Sequence, residues 1–355
     1  MDVGLIGHQG SGKTTVFNLL TGADEAISTF GAGRAEAHRG VAHVPDARLD
    51  RLAALFHPRK VTPAQMQVVD VPGLARSEDQ GPNRFLNDVR SVDALVHVLR
   101  AFVNEISGPA DPLAEADDME LELGLADLDA LERRRQRLTS GKKVTAEARL
   151  ELQLVERLIP VLEGGGRLQQ AQLTPEEDRL IRGYQFLTLK PLVWVVNLSE
   201  DEMGGQGFSG QVELERRAEA KGIPLVTMAG RWEMEVGQLD PGERADFLTS
   251  LGLAETGISR LARATYRHLG LVSFLTAGED EVRAWTIPAG TTAKAAAGRI
   301  HSDIERGFIR AEVVPFAALD RAGSMAAARE QGWVRMEGKD YIVQDGDIMN
   351  FRFNV

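Results

Sequence analysis

Gly7-His-Gln-Gly-Ser-Gly-Lys13-Thr14 fits the spacing G-x-x-x-x-G-K-[ST], the pattern that cradling a polyphosphate demands. Gly7, Gly10 and Gly12 let the backbone wrap so that successive N–H groups, that of Ser11 among them, converge on phosphate oxygens. The dipole of a following helix adds to that field. Lys13 brings a compact charge to the β- and γ-phosphates, the Thr14 hydroxyl can join a Mg²⁺ shell, and the cradle runs on through Thr15. Asp70-Val-Pro-Gly73 supplies an acid able to hold Mg²⁺ through water and an amide, at Gly73, able to sense a γ-phosphate. Asn197-Leu-Ser-Glu200 closes a further apolar run, at the edge where a nucleobase would lie. Asn197 can donate to a purine N7 and accept from an exocyclic amine. The competing readings are structural: a tight glycine turn, a strand-ending turn and an ordinary polar loop.

These residues need elements to aim them. Val3–Ile6 is an apolar run stopping at Gly7, as a buried parallel strand would, and Thr14–Thr21 carries apolar residues at helical spacing. Further strands are expected at Met66–Val71, Ala94–Val98, Leu192–Val196 and Leu225–Met228. The fold class is therefore α/β, a P-loop nucleotide-binding domain with a doubly wound, mostly parallel sheet. After about Pro112 the pattern changes. Asp117–Leu138 and Thr145–Leu162 are rich in Leu, Glu, Ala and Arg, with Leu121, Leu125, Leu128 and Leu131 on one expected face and Leu154, Leu158 and Leu162 on the other. An antiparallel helical hairpin inserted between two strands accounts for them. From Leu271, strands at Ala284–Ile287, Phe308–Val314, Asp340–Val343 and Ile348–Phe353 surround a helix at Thr292–Ile304. A hairpin signal stands at Gln344–Asp347. The expected division is 1–112 with 190–270 for nucleotide, 113–189 for the helical insertion and 271–355 for a small α/β module.

Composition narrows the partners. The chain has 355 residues, 43% hydrophobic and 26% charged, enough for two or three packed domains. No stretch approaches the roughly 18 apolar residues of a membrane span. There is no cysteine, and Met1–Thr15 lacks a leader pattern, so the cytoplasm is the expected compartment. A net charge of −11 argues against nonspecific binding to DNA or RNA, and a nucleoprotein would have to meet a local patch. Arg133, Arg134, Arg135 and Arg137, with Lys142 and Lys143, form one such basic cluster. Pairing with neighbours such as Glu132 is the competing account.

Taken together, these motifs resemble the YchF/Obg-like ATPase family of P-loop proteins. The resemblance extends through Val44–Leu52, Asp70–Leu74, Leu125-Ala-Asp-Leu-Asp129, Phe186–Pro191 and Asn197–Glu200. It is densest in the carboxyl third: Thr276–Gly278, Glu281–Pro288, Ala296–His301, Gly307–Ala311 and Glu337–Val343 through Val355. It implies a nucleotide domain, a coiled-coil-like insertion and a β-grasp TGS domain. It also implies adenine over guanine, because the family's Asn-x-x-Glu falls on Asn197 and Glu200 with the Leu198 backbone beside the base. ATP with Mg²⁺, a cytosolic setting and a ribosomal partner, reached through the hairpin and the TGS domain, are implied in the same way. Leu74 stands where Ras-like enzymes carry a water-orienting glutamine.

Departures from the family pattern touch turnover more than binding. Gln9, Gly10 and Ser11 replace Pro, Asn and Val; that Asn helps hold a stimulating K⁺, so Gly10 counts against K⁺ dependence. In the first switch, Phe30–Gly40, Arg34 stands where the family has a Mg²⁺-liganding Thr, with Ser28 and Thr29 several residues away. The second switch, Arg76–Asn83, is short, and the loop Phe102–Gly108 lacks the family's His. His97 is retained but falls inside an expected strand, where packing is the simpler role. Two readings stay open. One is a slow ATPase switching a ribosomal contact, with Lys13 and Arg34 as candidates for charge stabilisation; the other is a nucleotide-binding interaction module with little or no hydrolysis. Asn197–Glu200 disfavours a GTPase. For the TGS surface, Arg310, Arg283 and Trp285 are candidates, with strand packing as the alternative for Trp285.

Overall fold

Apolar runs bounded by turn residues fold as strands covered on both faces. The computed structural model describes residues 1–23, 38–71, 86, 88–103, 108–140, 145–200, 202, 207–250 and 253–354. Its first sheet is built from β1 (Asp2–Ile6), β2 (His38–Val44), β4 (Ala64–Asp70), β5 (Ala94–Arg100), β6 (Leu192–Asn197) and β7 (Leu225–Met228); β3 (Lys60–Thr62) belongs elsewhere. The order is β2-β4-β1-β5-β6-β7. β1 runs parallel to β4 and β5, β5 to β6, and β6 to β7. The expected α/β sheet is thus present, with the carboxyl ends of β1, β4 and β6 meeting the three nucleotide motifs.

Helix α1 (Lys13–Thr21) follows β1, and α2 (Ala47–Phe56) follows β2. The insertion is a pair of long helices, α3 (Pro112–Ser140) and α4 (Ala146–Glu163). They share a core of Leu131, Leu138, Leu154, Leu158 and Leu162 with Phe186. The Leu face of α3 differs from the one its spacing suggested. Leu121 and Leu125 are exposed, at 60% and 48%, whereas Met119, Leu123 and Leu131 are fully buried. Leu occurs at so many positions here that two helical faces look apolar, and the buried one also carries Glu115 and Asp127. Asp127 explains why. Its carboxylate accepts from the Leu187 and Thr188 amides at 3.1 and 2.8 Å, from the Thr188 hydroxyl at 2.8 Å and from Arg90 at 3.2 Å. The stretches Leu125–Asp129 and Phe186–Pro191 therefore meet in one polar knot.

By packing, the chain forms two compact units: Met1–Gly40 with Gln67–Ile258, and Val41–Met66 with Ser259–Val355. The second unit thus draws in α2 and β3. Leu49 and Leu52 of α2 join Tyr266, Leu275, Leu319 and Ile348 in its core, because an amphipathic helix must bury its apolar stripe somewhere. The sheet of this unit includes β8 (Leu271–Ala277), β9 (Glu281–Pro288), β10 (Phe308–Pro315), β11 (Arg335–Glu337) and β12 (Asp347–Phe353), ordered β11-β10-β12-β8-β9-β3. Ala293, Ala296 and Ala297 of the following helix, Ala293–Ile300, close its other face with Phe274 and Phe351. That helix stops at His301, whose Nδ1 accepts from the Asp303 amide at 3.1 Å and caps a second short helix, so Thr292–Ile304 is two helices rather than one. Asp340–Val343 is not a strand; it contributes a single bridge, Thr292 with Ile342. Gln344–Asp347 is accordingly a turn into β12 rather than a hairpin, held by the Asp347 carboxylate on the Gln344 amide.

Candidate nucleotide site

The loop between β1 and α1 has the backbone its glycines allow. Gly7, Gly10 and Gly12 adopt φ of 150°, 79° and 92°, a region that favours glycine. Two of them have no room for a side chain either, since a Cβ at Gly7 would collide with the Val98 carbonyl oxygen and one at Gly12 with the Asn197 amide nitrogen. Gln9 and Gly10 are exposed while Ser11 is buried, so the loop presents its middle to solvent and anchors its far end. Lys13 is 7% exposed, and its Nζ donates to the carbonyls of Gly7 and His8 at 3.3 and 3.2 Å. Burial lowers its pKa to about 8, against the opposing pull of Asp70 and Glu115. An ammonium held this way across its own loop is available to a phosphate that outbids two carbonyls.

Asp70, at the end of β4, reaches the same place. Its Oδ2 accepts from the Thr14 hydroxyl at 3.0 Å. Oδ1 is buried without a hydrogen-bond partner among the described residues. Burial raises the Asp70 pKa, offset in part by Lys13, the Thr14 hydroxyl and His38. A hydroxyl and a carboxylate in contact, with one carboxylate oxygen unspent, suit a hard divalent cation. Among the described residues no three His, Asp or Glu side chains cluster to hold a metal by themselves, so such an ion would complete its shell from phosphate and water.

Asn197, the last residue of β6, has a different geometry from the base contact its spacing suggested. It is 4% exposed, its Nδ2 donates to the Ser11 carbonyl at 3.1 Å, and its Oδ1 accepts from the Gly230 amide at 2.9 Å. It ties the phosphate loop to the start of the helix Gly230–Gly237, where Thr15 also packs. Leu198 is half-buried and its amide donates to the Met228 carbonyl at 2.7 Å, which fixes the backbone expected beside a base. Glu200 is exposed. Next to it, the Ser199 amide and hydroxyl donate to Glu202 at 2.8 and 3.0 Å while the Glu202 amide donates back to the Ser199 hydroxyl. This reciprocal cap stiffens the loop.

Spacing gave no hint of Arg100 and Glu115, which are 4% and 6% exposed. Arg100 ends β5, and its guanidinium donates to the carbonyls of Phe102, Gly108 and Pro109 at 3.2, 2.8 and 3.2 Å. Glu115, in the first turn of α3, accepts from the Arg100 amide at 2.9 Å and from its Nε at 3.3 Å. His97 is fully buried in β5, both ring nitrogens lacking a hydrogen-bond partner among the described residues, and burial pushes its pKa down to about 3. Arg34, Ser28, Thr29, Gly73, Leu74, the second switch Arg76–Asn83, and Lys142 and Lys143 lie outside the described residues.

Residues 2–130 match the family model described as 50S ribosome-binding GTPase, and residues 271–354 match the carboxyl-terminal YchF GTPase model, described as a protein of unknown function (DUF933). A ribosome-binding ATPase YchF from Pasteurella multocida is 42% identical over 99% of both chains, and one from Bacillus subtilis is 37% identical over the full length of both. The chain belongs to the YchF family. The solved structure of the Schizosaccharomyces pombe YchF GTPase matches 99% of this chain and 97% of its own with a TM-score of 0.85 at 26% identity. The likeness to these YchF proteins therefore runs along the whole chain rather than along one domain.

Proposed function

We propose that this chain binds ATP in the Gly7–Thr15 loop, hydrolyses it slowly and uses the cycle to switch a contact with the ribosome. The observation that carries the reading is the Thr14–Asp70 contact at 3.0 Å beside the buried Lys13. Lys13, released from the Gly7 and His8 carbonyls, would take the β- and γ-phosphates, with the Ser11 and Gly12 amides and the N-terminus of α1 around them. Thr14 and Asp70 would hold Mg²⁺, which supplies charge neutralisation at the phosphates when bound. Asn197 keeps the loop in shape, and Leu198 and Glu200 border the base. Support for adenine is the Asn197–Glu200 stretch, which lacks the Lys and Asp that guanine recognition uses.

The ribosomal partner rests on the relatives' names. Their docking through the hairpin and the carboxyl module is a finer proposal, and the arginine cluster contributes less than its sequence suggests. Arg133 pairs with Asp129 at 2.6 Å, Arg134 with Glu151 at 2.6 Å and Arg135 with Glu132 at 4.0 Å. In the carboxyl module, strand register puts Arg310 opposite Arg352 and, through Ile348 and Leu275, on the face away from Arg283 and Trp285. Those three therefore do not share one ligand surface.

A slow enzyme and a binding-only module separate in one experiment. Calorimetry with ATP and GTP, paired with single-turnover hydrolysis with and without K⁺, should show ATP bound more tightly and slow turnover that Lys13→Ala abolishes. Tighter GTP would overturn the base assignment, and ATP binding without Lys13-dependent turnover would leave the binding module.

A further inference from the structure

Glu115 and Asp118 lie three residues apart on α3 and both face the phosphate loop. Glu115 clasps Arg100 through backbone and side chain, and its field reaches Lys13. Asp118, 46% exposed, places Oδ2 3.8 Å from the imidazole Nε2 of His8, inside the loop itself. Asp111 caps the same turn, its carboxylate accepting from the Ala114 amide at 3.0 Å. A helix start favours acids, but here the acids also stand beside the site meant for a polyanion. The helix continues without interruption to Ser140, so whatever its first two turns sense is delivered along the arm.

We propose that Glu115 and Asp118 make the first two turns of α3 a sensor of phosphate charge, linking nucleotide state to the helical arm. In the free protein Lys13 attracts Glu115, and the His8 imidazole stands against Asp118. A bound triphosphate takes the Lys13 charge and opposes the carboxylates with its own, which loosens these turns; a diphosphate does so less. Arg100 is the positioning residue of this device, because it also holds both ends of the segment from Phe102 to Pro109. Linkage makes the effect reciprocal: an arm held rigid by a partner must weaken triphosphate binding. The inference rests on the nucleotide reading of the Gly7–Thr15 loop.

Hydrogen exchange of the full chain tests it, with saturating β,γ-imido ATP, with ADP and without nucleotide. Amides of 113–120 should exchange fastest with the triphosphate. In Asp118→Asn that difference should shrink, and the triphosphate should bind about three- to tenfold more tightly, with a smaller gain for ADP. Glu115→Gln should act in the same direction where a cooperative melt shows it folded, and the half-exposed Asp118→Asn decides the matter where it is not. Triphosphate binding with no change in the arm, or equal affinity in Asp118→Asn and wild type, overturns the sensor alone. Absence of any binding heat overturns the nucleotide reading and the sensor with it.

Discussion

His97 shows how a single side chain can set a measurable property without touching a ligand. It is held neutral by burial, beside the charge of Lys13, with a pKa of about 3 in place of 6.5. Between those values an unfolded chain takes up a proton at this histidine that the folded chain refuses, so stability rises with pH across that window and is lost as pH falls through it. The expected slope from His97 is at most about 1.4 kcal/mol per pH unit. Urea unfolding of wild type and His97→Gln between pH 3.5 and 6.5 checks this, and equal slopes in the two proteins would refute it. At this scale the sequence was most informative where chemistry fixes residue types at fixed spacing, as in Gly7–Thr14. Asn197 could be found by its place at a strand end, yet its bonding could not be read, because its partner Ser11 is 186 residues away. Arg100 and Glu115 carried no signal, since a buried ion pair looks in sequence like two surface charges.

The helical arm is joined to the nucleotide domain by polar contacts as much as by packing. Asp127 is fully buried and satisfies two amides, a hydroxyl and Arg90. Asp127→Ala would leave the buried amides and hydroxyl without this acceptor and Arg90 without its carboxylate, and the expected loss is about 3–5 kcal/mol, read from chemical denaturation. A loss under about 1 kcal/mol would show that the knot is incidental. The same residue explains why the face of α3 was misjudged. Periodicity assumes that buried positions are apolar, and α3 buries Glu115 and Asp127 while exposing Leu121 and Leu125. On α4 the apolar stripe is legible, and Leu154, Leu158 and Leu162 are buried as their spacing indicated, although Glu151 is buried with them. Asp340–Val343 failed for a related reason: four residues of β-like composition pair through only one bridge.

At the scale of the whole molecule, the carboxyl module is larger than the segment that looks like it. Its core takes Leu49, Leu52 and Ala64 from the amino-terminal third. A fragment of residues 271–355 alone is therefore expected to lack a cooperative thermal transition, and a fragment in which 41–66 is linked to 259–355 is expected to show one. Circular dichroism on both decides it; a cooperative melt of the short fragment would count against the assignment. Sequence order hid this arrangement because nothing in the α2 pattern names the surface its apolar stripe will meet. The same arrangement sets a timetable for the nascent chain. Residues 41–66 leave the ribosome before Ser259 exists, and at about 5–20 residues per second the wait is roughly 10–40 s. During that interval Leu49 and Leu52, fully enclosed at the end, have no final place to go, so an apolar helix stripe is offered to chaperones or to a neighbouring chain. Slow translation of the middle of this message would lengthen that exposure, and the yield of soluble protein should fall with it.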